Sequence, residues 1–386
     1  MDQPSIYFDN GATSWPKPEA VYGAAEQYLR SGGGNPGRSG HARSLASERL
    51  LYDSRERIGT FLGAKKPEEI IFTLNATDAL NMAIKGILDQ GDHVVYSPFE
   101  HNSALRPLYS LRESGRITTT MLSAVDDGVD AEAFDRAIRP ETKLLVCTHA
   151  SNITGRIMPV QAIAELAASR GVFFLIDAAQ TAGAIPLNLQ EIGADLVAFT
   201  GHKSLLGPPG VGLLYLREGV KIKPWREGGT GSRSDEERQP AFMPDYLEAG
   251  TMNAPGIAGL NEGLKYINAT SVEEIREHEL KLCQKLLAGL ERISGIKVFR
   301  IFAPENYVAV VSFVMEGMDS GELGFILEEG YGILSRTGLH CAPQAHRSIG
   351  TFPGGTVRFS LGCFNTEQEV DHALHALSEI ATRVCS

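Results

Sequence analysis

Cysteine is scarce in this sequence and does not fall into pairs. Five cysteines, at positions 147, 283, 341, 363 and 385 of 386 residues, form an odd, widely spaced set. Neither a disulfide framework nor a zinc site has that spacing. Positive charge is also in deficit: 36 Lys and Arg against 47 Asp and Glu leave a net charge of −11. A nucleic-acid or anionic-membrane surface needs a basic footprint, so neither is expected as a partner. No uninterrupted apolar run approaches the roughly 20 residues of a membrane span. The opening Met1-Asp-Gln-Pro-Ser-Ile6 lacks the basic and apolar regions of a signal peptide, which makes the cytosol the expected compartment. Internal repeats and low-complexity tracts are absent too. With 43% hydrophobic and 22% charged residues, the composition is that of an ordinary soluble globular protein, and 386 residues are enough for one large core plus a smaller domain.

Against these absences one stretch stands out, Asp195-Leu-Val-Ala-Phe-Thr-Gly-His-Lys-Ser-Leu-Leu-Gly-Pro-Pro-Gly210. The apolar run Leu196 to Phe199 predicts a short buried strand that ends at Thr200-Gly201. Lys203 follows just past that end, then a Gly-Pro-Pro-Gly turn and a second apolar run, Val211 to Leu216. About twenty residues upstream, the run Val172 to Ile176 ends in Asp177-Ala-Ala-Gln180. Two strand ends thus present an amine and a carboxylate side by side, where open α/β sheets place their sites. Such a pair suits pyridoxal phosphate: the lysine carries the aldehyde as a Schiff base and the aspartate keeps the pyridine nitrogen protonated. A phosphate loop for nucleotides is excluded, because the glycine-rich turn follows the lysine instead of preceding it.

Other segments fit the same plan. The first segment, Ile6-Tyr-Phe-Asp-Asn-Gly-Ala-Thr13, reads as a short strand running into a glycine turn. Further strands are predicted at Ile70–Thr73, His93–Tyr96 and Lys143–Thr148, and helices at Pro18–Arg30, Ser44–Leu62 and Pro159–Arg170. The alternation is that of a mostly parallel sheet covered by helices on both faces. Gly32 to Gly40, with Asn35, Arg38 and the following His41, is either a surface connection or a loop over a ligand. Asn75-Ala-Thr77 opens a helix, where Thr77 serves an N-terminal phosphate site or plain capping. His101 lies past a strand end, as a ring-stacking group or a structural hydrogen-bonder, and Asn152 at another strand exit points to the same rim. Lys223 to Gly250 is polar and weakly patterned, an exposed excursion suited to a subunit contact. From about Asn261 the pattern changes to α+β. A helix is expected at Ser271–Ile293, with Ser271 and Glu274 spaced as a capping box. Strands at Lys297–Ile301, Val308–Val314 and Thr356–Ser360 and helices at Ser320–Glu329 and Thr366–Thr382 complete it.

With Lys203, Asp177, His101, Asn152 and Thr77 all at strand exits, the chain resembles the fold-type I pyridoxal-phosphate enzymes of the class V aminotransferase group. Within it, the chain is similar to the cysteine desulfurases of the SufS-like branch, which includes selenocysteine lyases. The likeness runs from Tyr7-Phe-Asp-Asn-Gly-Ala-Thr13 to Val357-Arg-Phe-Ser360. It is strongest at Thr200-Gly-His-Lys-Ser-Leu-Leu-Gly-Pro-Pro-Gly-Val-Gly212 and at Ser335-Arg-Thr-Gly-Leu-His-Cys-Ala342. The resemblance implies a large pyridoxal-phosphate-binding α/β domain at residues 16–260, built on a mostly parallel seven-stranded sheet. A small α+β domain would combine residues 1–15 with 261–386.

It also implies roles. Lys203 holds the cofactor and moves protons, Asp177 pairs with its ring nitrogen, and His101 stacks on the ring. Gln180 and Asn152 lie near its phenolic oxygen, while Ala76 (backbone), Thr77, Thr200 and His202 contact the phosphate. Thr251 reaches that phosphate from the partner subunit, so the site is completed only in a homodimer. Arg358 clamps the substrate α-carboxylate bidentately, with Arg336 as a second positive group and Asn152 beside the substrate. Cys341 takes the substrate sulfur as a persulfide and leaves alanine, and Arg336 and His340 are candidates for the electropositive surroundings a thiolate needs. The substrate expected is L-cysteine, with persulfide sulfur passed to an acceptor protein for iron–sulfur cluster assembly or thio-cofactor synthesis. A selenocysteine lyase or cysteine sulfinate desulfinase is the alternative, since neither depends on a thiol nucleophile. A kynureninase-like hydrolase or an ordinary aminotransferase leaves the Cys341 loop unexplained. A non-catalytic binding relative predicts a missing lysine or aspartate, and both are present. Leu339, where many members of the branch carry a polar residue, and the 223–250 excursion depart from the family pattern. No metal is expected.

Overall fold

The computed structural model describes residues 5–36, 40–299 and 303–384. Arg38, the last two residues of the strand expected at Lys297–Ile301, and Cys385 lie outside them. In chain order the strands are β1 (Ile6–Tyr7), β2 (Ile70–Thr73), β3 (His93–Tyr96), β4 (Thr118–Met121), β5 (Thr142–Thr148), β6 (Phe173–Asp177), β7 (Leu196–Thr200), β8 (Gly212–Leu216), β9 (Ile296–Val298), β10 (Val310–Met315), β11 (Ile333–Leu334), β12 (Arg336–Gly338) and β13 (Thr356–Ser360). The helices are α1 (Glu19–Gln27), α2 (Ala42–Leu62), α3 (Ala76–Ile87), α4 (Asn102–Glu113), α5 (Ala131–Ala137), α6 (Val160–Arg170), α7 (Leu189–Ile192), α8 (Ala254–Thr270), α9 (Val272–Leu290), α10 (Ser320–Tyr331), α11 (Pro343–Ser348) and α12 (Glu367–Val384). No described helix is long and apolar enough to cross a membrane.

The large sheet has seven strands in the order β2-β8-β7-β6-β5-β3-β4. From β7 to β4 every neighbour is parallel, and β8 runs antiparallel to both β7 and β2. Burial on both faces explains the apolar runs. Along β7, Val197 and Phe199 enter the core on one face while Leu196 and Ala198 enter that on the other. On β5, Leu145 and Cys147 alternate in the same way with Leu144 and Val146. Each such large side chain, once fully buried, contributes about 1.5–3 kcal/mol. Because β3, β5, β6 and β7 point the same way, their C-terminal ends share one rim.

A second, antiparallel sheet, β12-β13-β10-β9, and the parallel pair β1-β11 pack against α9, α10 and α12. Phe8, Leu286, Phe313, Phe359 and Leu377 belong to this separate core. The first strand is therefore built into the carboxy-terminal layer, pairing Ile6 with Ile333 and Tyr7 with Leu334. Helix α8 runs straight through residue 260, so the change of pattern in the sequence falls inside a helix. At the next junction, Ser271 Oγ accepts the Glu274 backbone N–H at 3.1 Å and starts α9 as a cap. Residues 223–250 form turns and bends without regular structure, about half of them exposed.

Candidate active site

The shared rim of the large sheet faces the β12–α11 loop across a cavity of about 280 Å³, at the low end of small-ligand sites. All the expected site residues but one line it: Ala76, Thr77, His101, Asn152, Asp177, Gln180, Thr200, His202, Lys203, Arg336, Cys341 and Arg358. Thr251 does not. It borders a different cavity, with Arg55, Glu248 and Tyr52, on another part of the surface.

Each residue arrives there by a local rule. Thr200 ends β7, and a tight turn closed by the Leu206 N–H on the Lys203 carbonyl (2.8 Å) presents Lys203 to the cavity. Burial pulls its amine down to about 8, although Asp177 opposes that fall. Asp177 ends β6, where its Oδ1 accepts the Ala179 N–H at 3.0 Å. Burial raises its carboxyl. The N-cap of α3 is Asn75, whose side chain accepts the Asp78 N–H at 2.9 Å. Its capping leaves the first-turn N–H groups of Ala76 and Thr77 at the cavity wall, a place suited to an anion. His101 caps α4, and its Nδ1 accepts from the Ser103 N–H at 3.1 Å. With Nδ1 an acceptor, the neutral ring carries its proton on Nε2. Burial, together with Lys203 and the nearby arginines, holds that ring down to about 3, so it is uncharged at neutral pH.

The amides are partly committed to structure. Gln180 Nε2 donates to the Gly11 carbonyl at 3.0 Å, and Asn152 Nδ2 donates to the His340 carbonyl at 2.8 Å. On the opposite wall Arg336 and Arg358 sit directly across from each other on β12 and β13. Like charges so placed repel. Arg358 is 1% exposed; its Nη2 donates to Asp9 at 2.7 Å and its Nη1 to the Asn152 carbonyl at 3.0 Å. Arg336 Nη2 lies 3.8 Å from Cys341 Sγ. One carboxylate is thus set against two guanidinium groups, and a further anion would be favoured between them.

Cys341 sits in a loop, as Gly338 and Pro343 imply. His340 and Cys341 both take positive φ (46° and 60°), the left-handed region that costs a non-glycine residue roughly 1–2 kcal/mol. The loop is held there by the Asn102 N–H on the Cys341 carbonyl (2.7 Å) and by the Asn152 amide. One expectation is corrected. His340 is not a source of positive charge: burial, with Arg358 and His346 alongside, pushes its ring down to about 2, so it is neutral. The fixed positive charge beside the sulfur is Arg336.

Three groups at the site were not singled out from the sequence. Asp9 lies within the Tyr7–Thr13 segment, but its contact with Arg358 bridges 349 positions. Ser103 hydrogen-bonds both Thr77 Oγ1 (2.7 Å) and His101 Nδ1 (2.8 Å). Glu100, fully buried between the rim strands, accepts from Ser97 Oγ and from the Thr148 N–H (2.7 Å). Burial raises it to about 8. Its place just before His101 in the Ser97–His101 strand exit is the one signal the sequence offered.

Comparison with known proteins decides the family. Residues 6–373 match the family described as aminotransferase class V. The chain belongs to the class V aminotransferase family. Across 384 residues it is 34% identical to a probable cysteine desulfurase of Methanothermobacter thermautotrophicus, covering 97% of this chain and 94% of that one. A cysteine desulfurase of Shigella sonnei is 30% identical over 389 residues, 98% of this chain and 93% of the relative. The apo structure of a cysteine desulfurase from Thermococcus onnurineus superposes with a TM-score of 0.91 at 32% identity, covering 98% and 95% of the two chains. The α/β fold with a mainly parallel central sheet is that of class V cysteine desulfurase structures. Members of this family are pyridoxal-phosphate-dependent enzymes.

The cavity can be tested for that cofactor on its own terms. Thr200 and His202 line the cavity, and among the described residues their buried Oγ1 and Nδ1 have no hydrogen-bond partner. Buried polar groups are seldom left so unless something else satisfies them. An anion-binding end, a buried carboxylate and an amine of lowered pKa therefore fit a phosphorylated pyridine aldehyde.

Proposed function

We propose that this chain is a pyridoxal-phosphate-dependent cysteine desulfurase of the SufS-like branch, converting L-cysteine to L-alanine and retaining the sulfur on Cys341. The observation that carries the proposal is the meeting, in one cavity, of Lys203 and Asp177 with a cysteine whose sulfur lies 3.8 Å from Arg336. When bound, the cofactor supplies an electron sink that lets bonds at the substrate's α and β carbons break.

The chain's own groups do the rest. Ala76, Thr77, Thr200 and His202 hold the phosphate, and Asp177 holds the ring nitrogen. Gln180 and Asn152 use their remaining amide hydrogens near the phenolic oxygen. An amine pulled down to about 8 is in part neutral near pH 7, so Lys203 Nζ can both take and return a proton. His101 offers a flat, uncharged ring with a proton on Nε2. Arg358 and Arg336 bind the α-carboxylate, beside Asn152. Cys341 Sγ, as the thiolate, attacks the substrate sulfur. The new S–S bond forms as the Cβ–S bond breaks; Cβ keeps that electron pair and takes a proton, so cysteine and thiol become alanine and persulfide. On this reading residues 16–260 bring the cofactor groups, while residues 1–15 and 261–386 bring the arginines and the thiol. Thr251, remote from the cavity of its own chain, serves the site of a second copy in a homodimer. The persulfide is then passed to a protein acceptor.

The test is to incubate the protein with pyridoxal phosphate and L-cysteine, measuring alanine and the mass of the Cys341 peptide. Stoichiometric persulfide at Cys341 is expected, and Cys341→Ser should lose activity on cysteine. Brisk release from selenocysteine with no persulfide from cysteine would instead make the chain a selenocysteine lyase.

A further inference from the structure

The carbonyl oxygen of His202, which belongs to the peptide bond leading into Lys203, receives an unusual set of donors. The Ser14 N–H approaches at 3.0 Å, Thr13 Oγ1 at 3.0 Å, Ser14 Oγ at 3.3 Å and Lys17 Nζ at 3.1 Å. A carbonyl has two lone pairs, and one good donor normally satisfies it. Four donors from a single segment, nearly two hundred positions away in the chain, fix its direction as well as its pairing. The peptide on the other side of Lys203 is pinned too, by the Leu206 N–H.

Lys17 is the least expected member. Its ammonium spends its three hydrogens on the Ser14 carbonyl (3.1 Å), Ser14 Oγ (2.9 Å) and the His202 carbonyl (3.1 Å). All three acceptors are neutral. Among the described residues it forms no ion pair, although the chain carries an excess of carboxylates. Burial without a counter-ion draws its amine down to about 8, which is the cost of holding it there. A lysine serving only solubility or a surface ion pair would avoid that cost. Nor does it line the cavity; it acts from behind the lysine loop.

We propose that Lys17 is a positioning residue for Lys203: with Thr13 and Ser14 it clamps the His202–Lys203 peptide and so aims the Lys203 side chain at the bound cofactor. The inference rests on the reading of Lys203 as the cofactor-holding amine. The same clamp holds the backbone of His202, a residue of the cavity lining whose buried Nδ1 has no hydrogen-bond partner among the described residues.

The experiment compares the full-length wild type with Lys17→Met, which keeps the stem but removes charge and donors, and with Lys17→Arg. Cofactor-free proteins are titrated with pyridoxal phosphate. The visible absorbance of bound cofactor, the fraction fixed by borohydride to the Lys203 peptide, and the thermal midpoint before cofactor addition are recorded. The expected result is cofactor affinity weakened about tenfold in Lys17→Met, with an altered visible band and a smaller fixed fraction. Lys17→Arg restores most of both at a thermal midpoint close to wild type. Should Lys17→Met fail to fold, Thr13→Val, which deletes one donor and no charge, is expected to show the same spectral change to a lesser degree. Wild-type affinity and band in Lys17→Met, or a loss confined to the thermal midpoint, overturns the inference while leaving Lys203's role intact. A wild type that captures no cofactor on Lys203 overturns both.

Discussion

Half-buried Lys203 and fully buried Glu100 are two groups whose ionisation is shifted by the same cause, desolvation, in opposite directions, and each yields a measurement. For Lys203 the expectation is chemical. Lys203→Ala should bind pyridoxal phosphate without borohydride-fixed label, and a peptide map showing label elsewhere would remove the assignment. For Glu100 it is thermodynamic. Its pKa is raised from 4.5 to about 8, so between those values the folded chain keeps a proton that the unfolded chain has released. Its contribution is complete below the unfolded value and is lost as pH rises through the folded one. Glu100→Gln should therefore flatten the pH dependence of unfolding free energy between about pH 5 and 8, by at most about 1.4 kcal/mol per pH unit. Denaturant titrations of the cofactor-free proteins check this; parallel curves would refute it. The neutral histidines and Glu279, also raised to about 8, act on both proteins alike and cancel in the difference. At this scale the sequence was a good guide to groups at strand ends. It was silent on Asp9, because the partner that gives Asp9 meaning is placed by tertiary structure and not by spacing.

Among the elements, the buried parallel strands were legible because burial on both faces writes them as apolar runs. Strand β4 was not: Thr118-Thr-Thr-Met121 is an edge strand, partly exposed, without an apolar run. Helix α4 carries Pro107 inside it, which hides its periodicity, and α8 was obscured by glycines that pack against its neighbours. One of the contacts that hold the site is backbone against backbone. A Cβ on Gly212, at the start of β8, would lie 2.4 Å from the Asn75 backbone. Gly212→Ala should therefore push the cap of α3 away from the cavity, destabilising the fold by about 2–4 kcal/mol. It should also weaken capture of inorganic phosphate and of cofactor. Denaturation midpoints and phosphate titration measure the two effects; unchanged phosphate binding would separate the cap from the anion site.

For the whole molecule, the position of Thr251 makes the dimer testable. If a neighbour's residues complete each site, Lys203→Ala and Thr251→Glu proteins, both inactive alone, should regain activity when unfolded and refolded together. Random assortment gives hybrid dimers with one site free of either lesion, so recovery approaches about a quarter of wild type. Sedimentation should show a dimer, and a fully active monomer would exclude the arrangement. The sequence pointed to Thr251 only through its likeness to relatives; no local pattern could tell whether a threonine in an irregular segment serves its own chain or another.

The pairing of the first strand with β11, and of Asp9 with Arg358, also has a consequence for biosynthesis. A chain leaving the ribosome makes Lys203 about midway, yet the wall opposite it and the last partners of its opening residues are translated near the end. Closing so long a loop is a late and slow event. Nascent chains should consequently trap no cofactor until release, and a prematurely terminated product would leave its amino-terminal strand exposed and ready for chaperones or proteases.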